Sequence, residues 1–142
     1  MSKQFIVAVV GKHKIGSWII PQNVQTVVCH NVASTNNEKI SFIITEYRQS
    51  TSVPNLMTFI KKNKKKIRKI IFVSILQLGI NKNEIYKTLE KLKSYECCFF
   101  LEGISTRNLK LKLLKYYINE VFNAKYYSSN KVYFDQNPFL DL

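Results

Sequence analysis

Acidic residues are scarce in this chain: nine Asp and Glu stand against 22 Lys and Arg in 142 residues, for a formal charge of +13. Arginine is scarce as well, because 19 of the basic residues are Lys and only Arg48, Arg68 and Arg107 are Arg. That bias argues against a surface selected for bidentate reading of bases and phosphates. Three cysteines, Cys29, Cys97 and Cys98, are too few for a disulfide framework, which excludes the small secreted scaffolds and points to a reducing setting. No apolar run approaches the ~20 residues that a membrane span needs. Ser2-Lys3-Gln4 leads only into a short apolar run, without the pattern of a secretory signal, so a soluble, cytoplasmic protein is expected. Nucleotide and metal signatures are missing too. The first turn, Gly11-Lys12-His13-Lys14-Ile15-Gly16, has neither the Walker spacing nor G-x-G-x-x-G, and there is no G-x-S-x-G, C-x-x-C or H-E-x-x-H. No cofactor and no metal site are expected.

What remains is enough for one core: 46% hydrophobic and 13% aromatic residues in a length that fits a single domain. Gln4 to Val10 is a β-branched apolar run of the kind buried on both faces of a parallel sheet. After a loop from Gly11 to Ile20, Pro21 suits a first helical position, and Val24, Val27, Val28 and Val32 recur at helical spacing to about Ala33. Lys39 to Tyr47 reads as a second strand, Pro54 to the lysine run as a second helix, and Lys69 to Leu78 as a third strand. Asn83 is a candidate cap for a helix with Ile85, Leu89 and Leu92 inside. Cys97 to Glu102 reads as a fourth strand, and Thr106 to about Ala124 as a last helix. The spacing therefore predicts an α/β single-domain three-layer sandwich, Rossmann-like or flavodoxin-like, with a four-stranded parallel sheet in βαβαβαβα order over residues 1–124. The aromatic tail, 125–142, is expected to pack on the domain or a neighbouring subunit, and the exposed sheet edges argue for a homo-oligomer.

In an open α/β sheet, ligands bind beyond the carboxyl ends of the strands. The strands deliver Lys12, His13 and Lys14 from the first, Thr45, Glu46 and Tyr47 from the second, Ser74 and Gln77 from the third, and Glu102 with Arg107 beyond it from the fourth. Gln22 and Gln25 lie one helical turn apart, on a face other than the valines, as candidate ligand-binding amides. Glu46 and Glu102 are candidate general acid and base, with ion pairing to a nearby cation as the competing account. His13 is a candidate base, or a surface histidine depressed by two lysines.

The densest charge is Lys61, Lys62, Lys64, Lys65, Lys66, Arg68 and Lys69. A solvated face at a helix end competes here with an anionic partner, whether a phosphorylated small molecule, a lipid surface or nucleic acid.

Four segments, Pro21-Gln22-Asn23-Val24-Gln25, Thr45-Glu46-Tyr47, Ser74-Ile75-Leu76-Gln77-Leu78 and Phe99-Phe100-Leu101-Glu102-Gly103, resemble in order and spacing a small bacterial family, the sporadic carbohydrate cluster proteins. The resemblance covers roughly Val7 to Leu109 and carries Pro21, Gln22, Gln25, Glu46, Tyr47, Ser74, Gln77 and Glu102. Members usually have an arginine shortly before the Pro-Gln pair and a histidine after it, where this chain has Ile20 and Asn23, and Leu-Pro where it has Leu78-Gly79. The resemblance implies a part in capsule or other surface-polysaccharide biosynthesis. One form is an enzyme on an anionic sugar, sugar nucleotide or glycan, with Glu46 and Glu102 moving protons, Gln22, Gln25 and Tyr47 on hydroxyls, and Lys12, Lys14 or Arg107 on phosphate. The other is a non-catalytic oligomeric accessory protein, its lysine run on the anionic inner-membrane surface. Nucleic-acid binding ranks third. The alternation also looks like the catalytic domain of serine recombinases, an analogy of fold alone, because the serine and arginine motif after the first strand is absent.

Overall fold

In the computed structural model, which describes residues 4–11, 15, 19–47, 53–107, 113–116 and 118–120, the first apolar run becomes β1 (Phe5–Gly11), buried everywhere after its first residue. Its flanks are parallel strands on both sides, β2 (Phe42–Glu46) and β3 (Ile67–Phe72). A strand paired on both edges and covered on both faces has no solvent side, which is why it reads as an unbroken apolar run. Outside β3 lies β4 (Glu96–Phe99), also parallel. A two-residue β5 (Ile104–Ser105) then turns back antiparallel on β4, giving the order β2-β1-β3-β4-β5. The sheet is therefore five-stranded and mostly parallel, where four parallel strands were expected. The reversal is made at Gly103, whose φ of +64° lies in the left-handed region that suits glycine.

Helices α1 (Gln22–Thr35), α2 (Pro54–Asn63) and α3 (Lys82–Lys91) connect the parallel strands. Alternation along β2 shows which face each one covers. Thr45 takes a hydrogen bond from Gln22 of α1, whereas Phe42 packs on Phe59 of α2 with ring centroids 5.0 Å apart. Odd and even positions of a strand point to opposite faces, so α1 and α2 lie on opposite sides of the sheet. Cys97 and Phe99 of β4 share the α2 face, where Phe99 stacks on Phe72 at 5.3 Å. There α3 inserts Ile85 and Leu89, joined by the buried Leu114 and Ile118 of the helical residues 113–116 and 118–120.

Two boundaries moved for identifiable reasons. The third strand stops at Phe72 rather than Leu78 because Ser74 caps a 3-10 turn (Ile75–Leu78), its hydroxyl accepting from the Leu76 N–H while Gln77 reaches back to the Ser74 N–H. Gly79 follows at extended φ, where a Cβ would sit 2.5 Å from the Cβ of Glu84, so the close approach of α3 requires glycine. The cap of α3 is Asn81, not Asn83.

The valine stripe of α1 is only partly its buried face, with Val32 packed against the core. Val24 and Val27 are 45% and 58% exposed, while Gln25, Cys29 and Ala33 face the sheet. An amide displaces the valines because it serves the backbone: fully buried Gln25 donates through Nε2 to the carbonyls of Gly11 and Ile20 and accepts the Gly11 N–H on Oε1, each at 2.8 Å. It replaces the ladder partners that β1 loses where it leaves the sheet.

Gln25→Glu should therefore destabilise the fold by about 3 kcal/mol or more, because it aims a carboxylate at two carbonyl oxygens, whereas Val27→Gln on the same helix should change stability by less than about 0.5 kcal/mol. Urea unfolding of both variants checks this, and similar midpoints would refute the clamp.

Candidate functional site

At the carboxyl ends of the strands, several of the described polar side chains are spent on main-chain groups. Glu46, buried at the end of β2, accepts the N–H groups of Leu56 at 2.8 Å and Asn55 at 3.1 Å, and so anchors the first turn of α2. A carboxylate there also complements the positive end of the helix. It holds the start of α2 beside Val53, a β-branched residue at φ +46°, an uncommon conformation that persists only where surroundings over-determine it. Gln77, buried, accepts the N–H groups of Val73 and Ser74 and donates to the Val9 carbonyl, stitching the end of β3 to that of β1. Glu102 reaches from the turn after β4 to accept the Ser74 hydroxyl and the Ile75 N–H, both at 2.8 Å.

The expected residues thus fall into separate groups. Ser74, Gln77 and Glu102 meet beyond β3, Gln22 meets Thr45, Gln25 sits under the β1 exit, and Glu46 serves α2 at the far edge. Tyr47 is exposed just beyond Glu46. Lys12, His13 and Lys14 lie outside the described residues, as do the tail and most of the last expected helix. The ends of β2 and β3 lie two strand spacings apart, about 10 Å, with β1 between them.

Burial pushes the Glu102 carboxyl above the usual carboxylate range, against the opposing pull of the Ile75 N–H and the Ser74 hydroxyl. Burial also raises Glu46, against its bonds from Leu56 and Asn55. Burial pushes the Cys29 thiol up to about 12 and raises Cys97 and Cys98 as well. Such thiols stay neutral at physiological pH, and nucleophilic chemistry needs the thiolate. Among the described residues, no three His, Cys, Asp or Glu side chains gather to hold a metal ion.

The opposite, amino-terminal edge of the sheet is different. Lys69, on β3, is buried and pairs with Glu38 at 2.6 Å and with Glu96 at 3.7 Å. Burial lowers its proton affinity, but the Glu38 bond and the neighbouring carboxylates raise it further, so it stays charged. Arg68 closes on the other Glu38 oxygen at 2.9 Å. Two of the seven basic residues in the run are thereby committed to structure. Lys61, Lys62, Lys64, Lys65 and Lys66 are exposed, and none forms an ion pair among the described residues. On the same edge, Lys39 precedes β2, while Lys91 and Lys93 precede β4.

A cleft of about 480 Å³ opens beside this edge, between the end of α3, the start of β4 and Leu114. Tyr95 and Glu96 are in its lining with Lys93 and Arg107, and of the expected site residues it takes in Arg107 alone. The sequence does contain Lys93-Ser94-Tyr95-Glu96, but nothing local in it signals a cleft, because the apolar wall comes from Leu114, distant in the chain.

No protein-family model and no curated protein matches the chain. Among solved structures, the N-terminal catalytic domain of TP901-1 integrase is similar: TM-score 0.67, 9% identity, covering 84% of this chain and 95% of that one. At that identity the likeness shows the fold. It corrects the expectation of capsule or other surface-polysaccharide biosynthesis, as enzyme or as accessory protein, since the similar fold is an integrase domain. Among the described residues, no helix is long and apolar enough to cross a membrane.

A carboxyl raised above its unfolded value holds its proton more tightly in the folded state, so that state gains on the unfolded one as pH falls through the window between the ordinary and the raised pKa. Denaturation from pH 7 downward should show wild type gaining stability relative to Glu102→Gln as that window is crossed; a difference independent of pH would refute the burial of a costly charge at Glu102.

Proposed function

We propose that this protein binds nucleic acid through phosphate contacts on the amino-terminal edge of its sheet. The observation that carries this reading is the set of five exposed lysines, Lys61, Lys62, Lys64, Lys65 and Lys66, without a carboxylate partner among the described residues. Lys61 and Lys62 lie in the last turn of α2, where cations complement the helix dipole. Lys64, Lys65 and Lys66 lie beyond the helix, where that benefit fades within a turn and mutual repulsion remains. A polyanion relieves the repulsion and releases its counterions on binding. Lysine serves such contacts as a point charge, so the interaction follows the phosphate backbone rather than the base sequence. The fold it shares with an integrase catalytic domain agrees with a nucleic-acid partner. At the carboxyl-end rim the described Gln25, Glu46 and Gln77 are engaged with the main chain and contribute scaffold.

Five neutralised phosphates give a log–log salt slope of about −4.5 on duplex DNA, or roughly a 500-fold loss of affinity between 50 and 200 mM salt. Fluorescence anisotropy on a plain duplex measures the slope. Replacing Lys61, Lys62, Lys64, Lys65 and Lys66 together by Gln should flatten it by about that amount, with the fold unaffected because these side chains are exposed. An unchanged slope in the variant, or binding to phosphatidylserine vesicles but to no nucleic acid, would overturn the proposal.

A further inference from the structure

The cleft and the lysine run adjoin through one side chain. The buried Tyr95, which lines the cleft, donates its hydroxyl to the carbonyl of Lys64 at 3.0 Å, so the wall of the cleft holds the turn that presents Lys64, Lys65 and Lys66. Inside, Leu89, Leu92 and Leu114 supply aliphatic walls beside the Tyr95 ring. A volume of about 480 Å³ falls within the roughly 300–1,000 Å³ of sites for small organic groups.

Two cations, Arg107 and Lys93, line the cleft. The Glu96 carboxylate turns to the other face of β4, to Lys69 at 3.7 Å and Ser105 at 3.4 Å. The Arg107 side chain is 74% exposed, its Nη1 3.9 Å from a Glu96 oxygen. Lys93 adds a second cation at the rim, paired with Glu90 in solvent, where such a pair is weak and readily exchanged.

An apolar slot with cations at the entrance suits one chemical group: a flat apolar ring that hangs from a phosphate. We infer that the cleft takes an unpaired nucleobase from a strand whose phosphates lie along Lys64–Lys66, so that the protein prefers single-stranded to duplex nucleic acid. This inference rests on the phosphate-binding reading above. A base inside a duplex is stacked and paired and cannot enter, whereas in a single strand its faces and its Watson–Crick edge are free.

The test compares three probes of equal charge by anisotropy at fixed salt: an oligothymidylate, the same strand with abasic sites throughout, and a duplex. The thymidine strand should bind about tenfold tighter than the abasic one, in line with one base held against a side-chain platform. Ser94→Met, which places a flexible apolar side chain on the exposed cleft lining, should abolish that ratio while leaving the abasic strand and the duplex unchanged. Arg107→Ala, at an exposed position, should also reduce the ratio. Equal binding of thymidine and abasic strands by wild type, or a preference that persists in Ser94→Met, overturns the cleft and leaves the lysine surface standing. No binding to any probe overturns both.

Discussion

A parallel sheet ends in unpaired main-chain groups wherever a strand leaves it, and among the described residues at least four side chains meet that demand. Gln25 serves β1, Glu46 joins β2 to the first turn of α2, Gln77 ties β3 to β1, and Glu102 ties the turn after β4 to the turn after β3. Each bond made in place of water is worth about 1 kcal/mol net, but a buried donor or acceptor left without one costs about 1–3 kcal/mol. The anchors therefore hold the loops to the sheet less by attraction than by the penalty for release. That penalty explains why an amide rather than a valine faces the sheet from α1, and why two carboxyls are kept in places where burial works against their charge.

The same demand limits what a sequence can say about such a rim. Polar residues at strand ends are required by ligand chemistry and by chain architecture alike, and in one dimension the two look identical. The continuous apolar run of β1, the helix opening at Pro54 and the parallel alternation were legible because each rests on a local rule: burial of both faces, a preset φ, and the spacing of crossovers. The destination of Glu46 was not legible, because the Asn55 and Leu56 amides that it accepts become its neighbours only once the chain has folded back. The β5 hairpin was hidden in the same way. Phe99-Phe100-Leu101 reads as more strand, and only the left-handed Gly103 turns it.

Charge shows the opposite pattern, plain in composition and ambiguous in purpose. The run from Lys61 to Lys69 is visible at once, yet its members divide by burial. Lys69 is sealed between Glu38 and Glu96, Arg68 completes that pair from the surface, and the remaining lysines face water. A register shift in β3 assigns the difference: Ile67 and Lys69 pair with consecutive residues of β1, and Arg68 between them is the extra residue and stays exposed.

The polarity of the fold accounts for where each sign collects. Helices that connect parallel strands run against them, so helix N-termini gather at the carboxyl edge of the sheet and helix C-termini at the amino edge. The dipoles favour acids at the first edge and bases at the second. Glu46 at the start of α2 and Glu84 in the first turn of α3 follow that sorting, as do Lys61 and Lys62 at the end of α2 and Lys91 at the end of α3. Sorting alone fills each terminus with one or two charges and then stops, because the field of a helix end decays within a turn. Three further lysines past the end of α2, next to a cleft whose wall is bonded to their backbone, exceed what the fold requires of its own termini. The excess lies on the edge opposite Gln25, Glu46, Gln77 and Glu102, where exposed lysine side chains can meet a ligand without releasing those four anchors.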